Sequence, residues 1–344
     1  MALQKAYNIK VFNLSGVYQK TINEKQVMGD VRFTSQLDGG QGELVITISD
    51  EIDSTIVAYN NIIKVYENDT TNNGVLIYSG VVTNITRISE GGREYIEVRA
   101  IGLATMLTWI TYYSGGYVFS KNIEVSLIIK DIVDYFSTIY AGVISYTGTS
   151  IEATGITANF SFDYTKSLEA IRKVSGVATH TLYVDHSGVV QYHPKTGAIG
   201  QLTHYLTAGK DIESIRIEEN AEEVVNKYFL TWASGTITAQ DATSQTAYGI
   251  RELRESNTAI GDVTTANNFG ASYISKNKDA KRKIQIVVNS AYNIETIRPG
   301  DLVTVQNFDY TISALQIQKI EYNTEKVTID LEQVTSLARE ITRL

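Results

Sequence analysis

The stretch that decides the fold is residues 75–99, which read VLIYSGVVTNITRISEGGREYIEVR. Its apolar first half reaches the turn Glu90-Gly91-Gly92 and the chain returns through Arg93–Arg99. In the returning segment Ile96 and Val98 alternate with more polar side chains, which is the period of a strand with one wet face. The sequence therefore predicts a long β-hairpin with one face in a hydrophobic core.

Further strands precede this hairpin. Gly42–Ile48 follows the glycine turn Asp38-Gly39-Gly40, and Asn61–Tyr66 precedes a polar loop. Short strands separated by Gly and Asn turns are typical of barrels and sandwiches. The chain is also rich in Ile, Val and Thr and holds 22 Tyr, residues that suit a pleated, half-buried surface. We predict a β-barrel domain over residues 1–116.

The pattern changes after Ser114-Gly115-Gly116. Apolar residues then recur every three and four positions between Val125 and Ile139, which predicts an amphipathic helix. A second helix is predicted near Ser167–Val174, ending at Gly176. Two short strands flank Asp185-His186-Ser187-Gly188, which is a good hairpin signal. These elements predict a small α+β domain over residues 117–200.

The chain returns to β structure after residue 200. Val224–Trp232 is predicted as a strand, residues 239–249 as a loop or short helix, and Asp262–Lys276 as a helix. The predicted strands that follow are Lys283–Asn289, Asp301–Gln306, Ala314–Tyr322 and Lys326–Glu332. We predict a second β-barrel domain over residues 201–344, with a partly helical insertion near 239–278.

One internal similarity links the two β regions. Ile85-Thr86-Arg87-Ile88 aligns with Ile317-Gln318-Lys319-Ile320, and each precedes a turn and a strand. Upstream, Ile63-Lys64-Val65 corresponds to Val303-Thr304-Val305. The apolar phase shifts between Ile317 and Ile320, as a β-bulge requires. Two hairpins can look alike by chance; taken as a repeat, the similarity predicts two related β domains around the α+β domain.

Composition and charge exclude several classes of protein. The 344 residues carry 30 Lys+Arg and 38 Asp+Glu, for a net charge of −8, which argues against a protein that holds nucleic acid. The basic cluster Lys276, Lys278, Lys281, Arg282 and Lys283 is short and interrupted by Asp279, so a solvated junction is favoured over a phosphate patch. No run approaches the roughly 18 apolar residues of a membrane span, and the start lacks a secretory signal. With no Cys there is no disulfide, thiolate metal site or cysteine nucleophile.

Candidate chemical sites are weak. His180, His186, His193 and His204 do not have a metal-ligand spacing, and His186 is expected to be exposed in a turn. The loop Glu67–Gly74 offers oxygen ligands for weak calcium binding, but it lacks the bidentate Glu of a calcium loop.

Two further features leave alternatives open. An acidic run could hold a catalytic carboxylate pair or be solvent-facing. The surplus Tyr could bind sugars or protein partners, or pack strand faces. The members of the acidic run are Asp211, Glu213, Glu218, Glu219, Glu222 and Glu223.

The order of these pieces resembles the central hub proteins of bacteriophage tails and baseplates, a family that also forms the N-terminal part of siphophage tail-tip proteins. The resemblance covers nearly the whole chain and rests on the order of the elements and on short sequence segments. These segments are Gly74–Val82, Ser167–Ile171, Leu182–Val190, Ala247–Glu252 and Ile297–Val305. The chain ends soon after its last predicted strand, so we expect no peptidase, lysin or fibre extension.

The resemblance implies a non-enzymatic virion protein, made in the host cytoplasm, that forms a homotrimer. Each chain would give two related barrels, so that the ring presents six similar units to a tail tube or distal tail protein and a three-fold face to a central spike or fibre. The resemblance also allows a tape-measure protein as a partner, and it implies that DNA passes through the ring without specific binding.

No catalytic, cofactor-binding or metal-binding residue is expected, and no interface residue can be named from the sequence. Two alternatives remain open. The first is a carbohydrate- or receptor-binding β protein of a virion, and the second is a hydrolase with paired carboxylates.

Overall fold

A computed structural model describes most of the chain. The described residues are 7–23, 26–28, 31–37, 39–49, 57–67, 74–113, 123–194, 200–288, 296–307, 310–323, 326–333 and 341–343. The glycine pair Gly115-Gly116 and the middle of the calcium-loop candidate, residues 68–73, lie outside them.

Seven strands lie in the described part of the first β region. They are β1 (Tyr7–Phe12), β2 (Tyr18–Ile22), β3 (Arg32–Gln36), β4 (Gly40–Ser49), β5 (Ile62–Glu67), β6 (Val75–Glu90) and β7 (Arg93–Gly102). β6 and β7 are the predicted hairpin. Ile96, Val98 and Ala100 of β7 are buried while Arg99 is exposed. The alternation therefore marks the buried face, as predicted.

A 3-10 helix, Leu103–Thr108, leads into the middle region, which mixes helices with short strands. Its elements are β8 (Thr111–Tyr112), β9 (Ile123–Glu124), α1 (Val125–Ser137), β10 (Thr157–Ala158), β11 (Thr165–Lys166), α2 (Ser167–Ser175), β12 (His180–Val184) and β13 (Val190–Pro194). α1 begins at the cap residue Glu124, whose carboxylate accepts a hydrogen bond from the Ser126 amide at 2.8 Å. Both predicted helices and the predicted hairpin are confirmed.

The remaining elements form the second β region and its insertion. The strands of the β region are β14 (Thr203–Thr207), β15 (Ile212–Asn220), β19 (Lys281–Val288), β20 (Leu302–Gln306), β21 (Tyr310–Tyr322), β22 (Val327–Gln333) and β23 (Ile341–Arg343). The insertion holds β16 (Lys227–Trp232), β17 (Gly235–Gln240), α3 (Ala242–Tyr248), β18 (Glu252–Asn257) and α4 (Val263–Asn277).

The insertion is larger than the sequence predicts. β16, which the sequence places in the second barrel, pairs instead with β17 and β18 in a separate three-stranded sheet. Tyr228 and Leu230 of β16 pack in the same hydrophobic cluster as Ile128 and Phe136 of α1. The insertion therefore begins at β16 and packs on the middle region.

The two β regions share one sheet. Among the described residues fourteen strands belong to it, along the path β15-β19-β22-β21-β3-β4-β7-β6-β5-β1-β2, with β14 on β20 and β23 on β21. One hydrophobic cluster runs beneath both regions and includes Ile46, Val98, Ile286 and Ile329. The fold class is mainly β with α+β parts, as predicted, while the domain boundaries at 116 and 200 stay predictions.

The two β regions have the same strand order. The order β1-β5-β6-β7-β4-β3 in the first matches β14-β20-β21-β22-β19-β15 in the second, strand for strand along the chain. They differ at one end, because β1 is antiparallel to β5 while β14 is parallel to β20. The insertion lies between β15 and β19, at the place of the tight β3–β4 turn.

The predicted bulge is confirmed, and so is the predicted match of Ile63 with Val303, whose partners Gly80 and Leu315 are equivalent. The predicted alignment of Ile85 with Ile317 is three residues out. The register of β21 on β22 shifts between Ile317 and Lys319, and that of β6 on β7 shifts between Val82 and Asn84. Superposing the bulges matches Val82, not Ile85, with Ile317. The hairpin strands cannot be aligned correctly from sequence because the bulge of β6 falls on the polar pair Thr83-Asn84. A bulge at polar residues does not change the spacing of apolar residues that the alignment uses.

Candidate functional site

The joint between the two β regions is the first candidate site. β21 pairs with β3 antiparallel, with Tyr322 opposite Phe33 and Lys319 opposite Gln36. The Phe33 and Tyr322 rings stack at 4.3 Å, and the Tyr78 ring lies 5.2 Å from Phe33. The Tyr78 hydroxyl lies 2.9 Å from the Gly42 carbonyl oxygen and 3.0 Å from that of Ala100. This aromatic contact makes the two regions one continuous surface.

The β12–β13 hairpin docks on the sheet next to this joint. Gly40, at φ +83°, lies so close to Val184 that an added Cβ would stand 2.2 Å from the Val184 carbonyl oxygen. A cavity of about 100 Å³ remains at the contact, lined by Ser35, His186 and Arg298 among others. His186 is therefore half-buried and not simply exposed as the sequence predicts, because Arg298, distant in the sequence, packs over the turn. The contact joins the middle region to both β regions.

A buried pair braces the start of β20. His204 Nε2 lies 3.0 Å from Asp301 Oδ2, and both side chains are less than 10% exposed. The Asp301 carboxylate also accepts hydrogen bonds from the amides of Leu202 (3.1 Å) and Arg298 (3.0 Å). Asp301 belongs to the Pro299-Gly300-Asp301 turn. Through its contacts with His204 and Leu202, this turn holds β14 beside β20.

The outer face of the second β region forms an open, charged groove of about 480 Å³. Lys283 lies 3.4 Å from Glu223 and Arg216 lies 3.4 Å from Glu218. These pairs are exposed and contribute little to stability. Because both signs of charge are interleaved, this groove is not an acidic lining.

The four His do not converge. The His180 ring packs 4.9 Å from that of Tyr192, His193 contacts the Tyr183 hydroxyl at 3.5 Å, and His204 belongs to the brace. Over the part of the chain that the structure describes, no group of three or more His, Asp or Glu is placed to hold a metal ion.

The other charged candidates are dispersed. The acidic run lies on strand β15 and on the turns before and after it, and Glu67 is buried at the end of β5. In the basic cluster, Lys276 donates to the Ala178 carbonyl at 3.0 Å and Lys278 pairs with Asp241 at 2.9 Å. The side chains of Glu219, Lys281 and Arg282 lie outside the described part. Neither a carboxylate pair nor a phosphate patch is assembled by the described side chains of these two runs.

The Tyr surplus divides between core and surface. Buried examples are Tyr7, Tyr78, Tyr112, Tyr192, Tyr228 and Tyr322, and exposed ones are Tyr18, Tyr59, Tyr113, Tyr135, Tyr164 and Tyr205. Tyr113 and Tyr164 stack in parallel at 4.7 Å, and Tyr164 adopts a positive φ of 47°, which is rare for an aromatic residue. This pair is a flat, exposed aromatic platform.

We expect the protein to lose stability as the pH falls below 6.5. Burial, then the charge of Arg298, lowers the pKa of His186 to about 4, and burial lowers that of His180. The unfolded chain therefore binds more protons than the folded one as pH falls from 6.5, and the free energy of unfolding drops. For His186 alone the drop between pH 7 and pH 5 is about 1–2 kcal/mol.

Denaturant unfolding at pH 7, 6 and 5 measures this effect. The variant H186Q should lose less stability over that interval than the wild type, whereas S187A, an exposed change in the same turn, should behave as the wild type. An unchanged pH slope in H186Q would contradict the assignment.

Comparison with solved structures identifies the fold. A tail protein from Neisseria meningitidis MC58 matches with a TM-score of 0.68 at 11% identity, over 95% of this chain and 97% of its own. The 43 kDa tail protein of prophage MuSo2 from Shewanella oneidensis matches at 0.67 and 13% identity, over 95% and 98%. The chain has the fold of these phage tail proteins.

A third structure supports the same tail-protein fold. Prophage tail protein gp18 from Listeria monocytogenes EGD-e matches with a TM-score of 0.58 at 11% identity, over 96% of this chain and 95% of its own. The fold implied by the sequence resemblance is thus confirmed. No family model matches the chain, and no curated protein matches it by sequence. None of the described helices is long and apolar enough to cross a membrane.

Sequence reasoning missed the residues that join the regions. Phe33, Gly40 and Arg298 were not singled out, although each is essential to a contact described above. Gly40 had a partial signal, because it lies in a glycine turn, but a turn does not reveal what packs against it. Phe33 carried none. Arg298 lies in the segment Ile297–Val305 that supports the resemblance, but nothing local shows that it packs over His186, because the two are remote in the sequence.

Proposed function

We propose that this chain is a structural, non-enzymatic hub or tail-tip protein of a phage tail. Three copies form a ring around the DNA channel, with the tail tube or distal tail protein on one face and a central spike or fibre on the other. It acts in the virion after synthesis in the host cytoplasm. The tail-protein fold supports the tail role.

One observation carries the symmetry part of the proposal. The two β regions repeat one strand order and lie side by side in a single sheet. Three such chains present six similar units to a six-fold tube, while the middle regions and insertions, one per chain, keep three-fold symmetry. The net charge of −8 suits a channel through which DNA slides without binding.

Native mass spectrometry of the purified chain tests the ring. We expect a species of three times the 38.1 kDa chain mass, which binds the tail tube or distal tail protein of the same phage. A monomer that persists at high protein concentration, and that binds neither tube nor spike proteins, would refute the proposal.

A second candidate function, binding of a saccharide receptor, is favoured by the Tyr113–Tyr164 platform. Flat exposed aromatic rings are suited to stacking against sugar rings, and Tyr164 is 66% exposed. Glycan-array binding that Y164A abolishes would support this function, and an array without binding would remove it.

A further inference from the structure

The cavity of about 100 Å³ beside the β12–β13 hairpin lies where three parts of the chain meet. The first β region contributes Ser35 and Gln41, the hairpin contributes His186, and the turn before β20 contributes Arg298. Each water molecule in a liquid takes about 30 Å³, so the space suits roughly three waters or one small polyatomic ion. A ligand in this cavity would contact both β regions and the middle region at once.

Gln41 brings a buried acceptor without a donor to this cavity. The residue is 8% exposed, and its amide nitrogen donates to the Ser35 hydroxyl oxygen at 2.9 Å. Its carbonyl oxygen Oε1 is buried and has no hydrogen-bond partner among the described residues. Because a buried polar atom without a partner is costly, a ligand that donates a hydrogen bond to Oε1 is favoured.

The other polar groups of the cavity offer donors. Arg298 Nη1 donates to the Ile297 carbonyl oxygen at 2.9 Å, and in the described chain this is the only hydrogen bond of the guanidinium group. The Ser35 hydroxyl oxygen accepts from Gln41, so its own hydrogen is available to a ligand. The His186 ring supplies an N–H in either tautomer. The cavity therefore presents one acceptor and several donors, one of them cationic.

The carboxylate at the cavity, Asp185, is already occupied by its own hairpin. Asp185 Oδ1 accepts from the amides of Ser187 at 2.8 Å and Val189 at 3.0 Å. Asp185 Oδ2 accepts from Gln191 Nε2 at 2.9 Å. These three donors offset its negative charge, so the cation in the cavity remains free to hold an anion.

We propose that this cavity binds a small tetrahedral oxyanion that carries a proton, with inorganic phosphate as the ligand. Arg298, Ser35 and His186 donate to its unprotonated oxygens, and its protonated oxygen donates to Gln41 Oε1. The planar guanidinium group suits this role because it presents several donors to one oxyanion. The bound ion ties the hairpin to both β regions, whether or not copies of the chain form a ring.

Sulfate is the sharpest comparison, because it has the same shape but carries no proton at neutral pH. A sulfate oxygen beside Gln41 Oε1 would bring two acceptors together, whereas phosphate donates a hydrogen bond there. Isothermal titration calorimetry of the full chain, in a buffer free of both anions, measures the two dissociation constants. We expect phosphate to bind more tightly than sulfate by about tenfold or more, because the site receives a hydrogen bond that sulfate cannot make.

Two substitutions separate the roles of the charge and the acceptor. R298M removes the cation and should weaken the binding of both anions. Q41L removes the acceptor and should abolish most of the difference between them. The matched control is R254M, which removes an exposed Arg on β18 and should bind both anions as the wild type does.

Glycerol phosphate separates the free ion from a phosphate group on a larger molecule. Its ester group needs space beyond a cavity of about 100 Å³, so we expect it to bind more weakly than inorganic phosphate. Binding as tight as that of inorganic phosphate would overturn the free ion as the ligand.

Three further results would overturn the proposal. The first is a wild-type chain that binds no phosphate, with water alone in the cavity, and the second is equal affinity of the wild type for phosphate and sulfate. The third is undiminished phosphate binding by R298M, which would place the ion elsewhere. If circular dichroism shows that Q41L does not fold, the wild-type comparison and R298M still decide. The ring is tested separately by native mass spectrometry.

Discussion

Replacing Phe33 by Ala should lower the free energy of unfolding by about 3–5 kcal/mol. Phe33 is 2% exposed and stacks on Tyr322 at 4.3 Å, so its loss opens a cavity where the two β regions meet. The Tyr78 ring, 5.2 Å from Phe33, loses its contact as well. Equilibrium unfolding in denaturant, followed by circular dichroism, measures the change.

The control is Y59A, which truncates a side chain that is 63% exposed and should alter stability by less than about 0.5 kcal/mol. Because Phe33 packs where β3 and β21 join the two regions, F33A should also reduce the trimer fraction in native mass spectrometry. A loss of stability below about 1 kcal/mol would show that Phe33 does not hold the regions together.

The second large effect is expected from Gly40→Ala, at about 2–5 kcal/mol of destabilisation. Gly40 has a φ of +83°, and its new Cβ would stand 2.2 Å from the Val184 carbonyl oxygen and 3.0 Å from the Val184 nitrogen. Backbone atoms cannot rotate away, so the β12–β13 hairpin must shift off the sheet. Denaturant unfolding measures the loss.

Gly92→Ala separates the two causes of that loss. Gly92 has a similar φ of +76° but nothing within 4 Å of the added Cβ, so it carries the conformational cost without the clash. We expect G40A to cost clearly more than G92A. Equal costs would mean that the hairpin does not dock at Gly40.

The periodic elements of this chain were predictable because their pattern records which face is buried. β7 alternates Ile96 and Val98 with wet positions, and α1 repeats its apolar residues at helical spacing, so both follow from local sequence. The bulge in β21 was predictable for the same reason, since an extra residue displaces the apolar phase after Ile317.

What the sequence could not predict depends on partners that are distant along the chain. β16 looks like any strand, and only its pairing with β17 and β18 assigns it to the insertion rather than to the sheet of the second β region. His186 sits in a turn, and its burial depends on Arg298. Strand pairing between β21 and β3 leaves no local signal, because the residue pattern of one strand does not record which strand lies beside it. These contacts between distant parts of the chain therefore required the structure.

In the proposed function one chain supplies two equivalent units of a ring. Cryo-electron microscopy of the purified assembly tests it most directly. We predict a closed ring of three chains with six similar β units on one face and three-fold features on the other. A two-fold dimer or an open filament would contradict it.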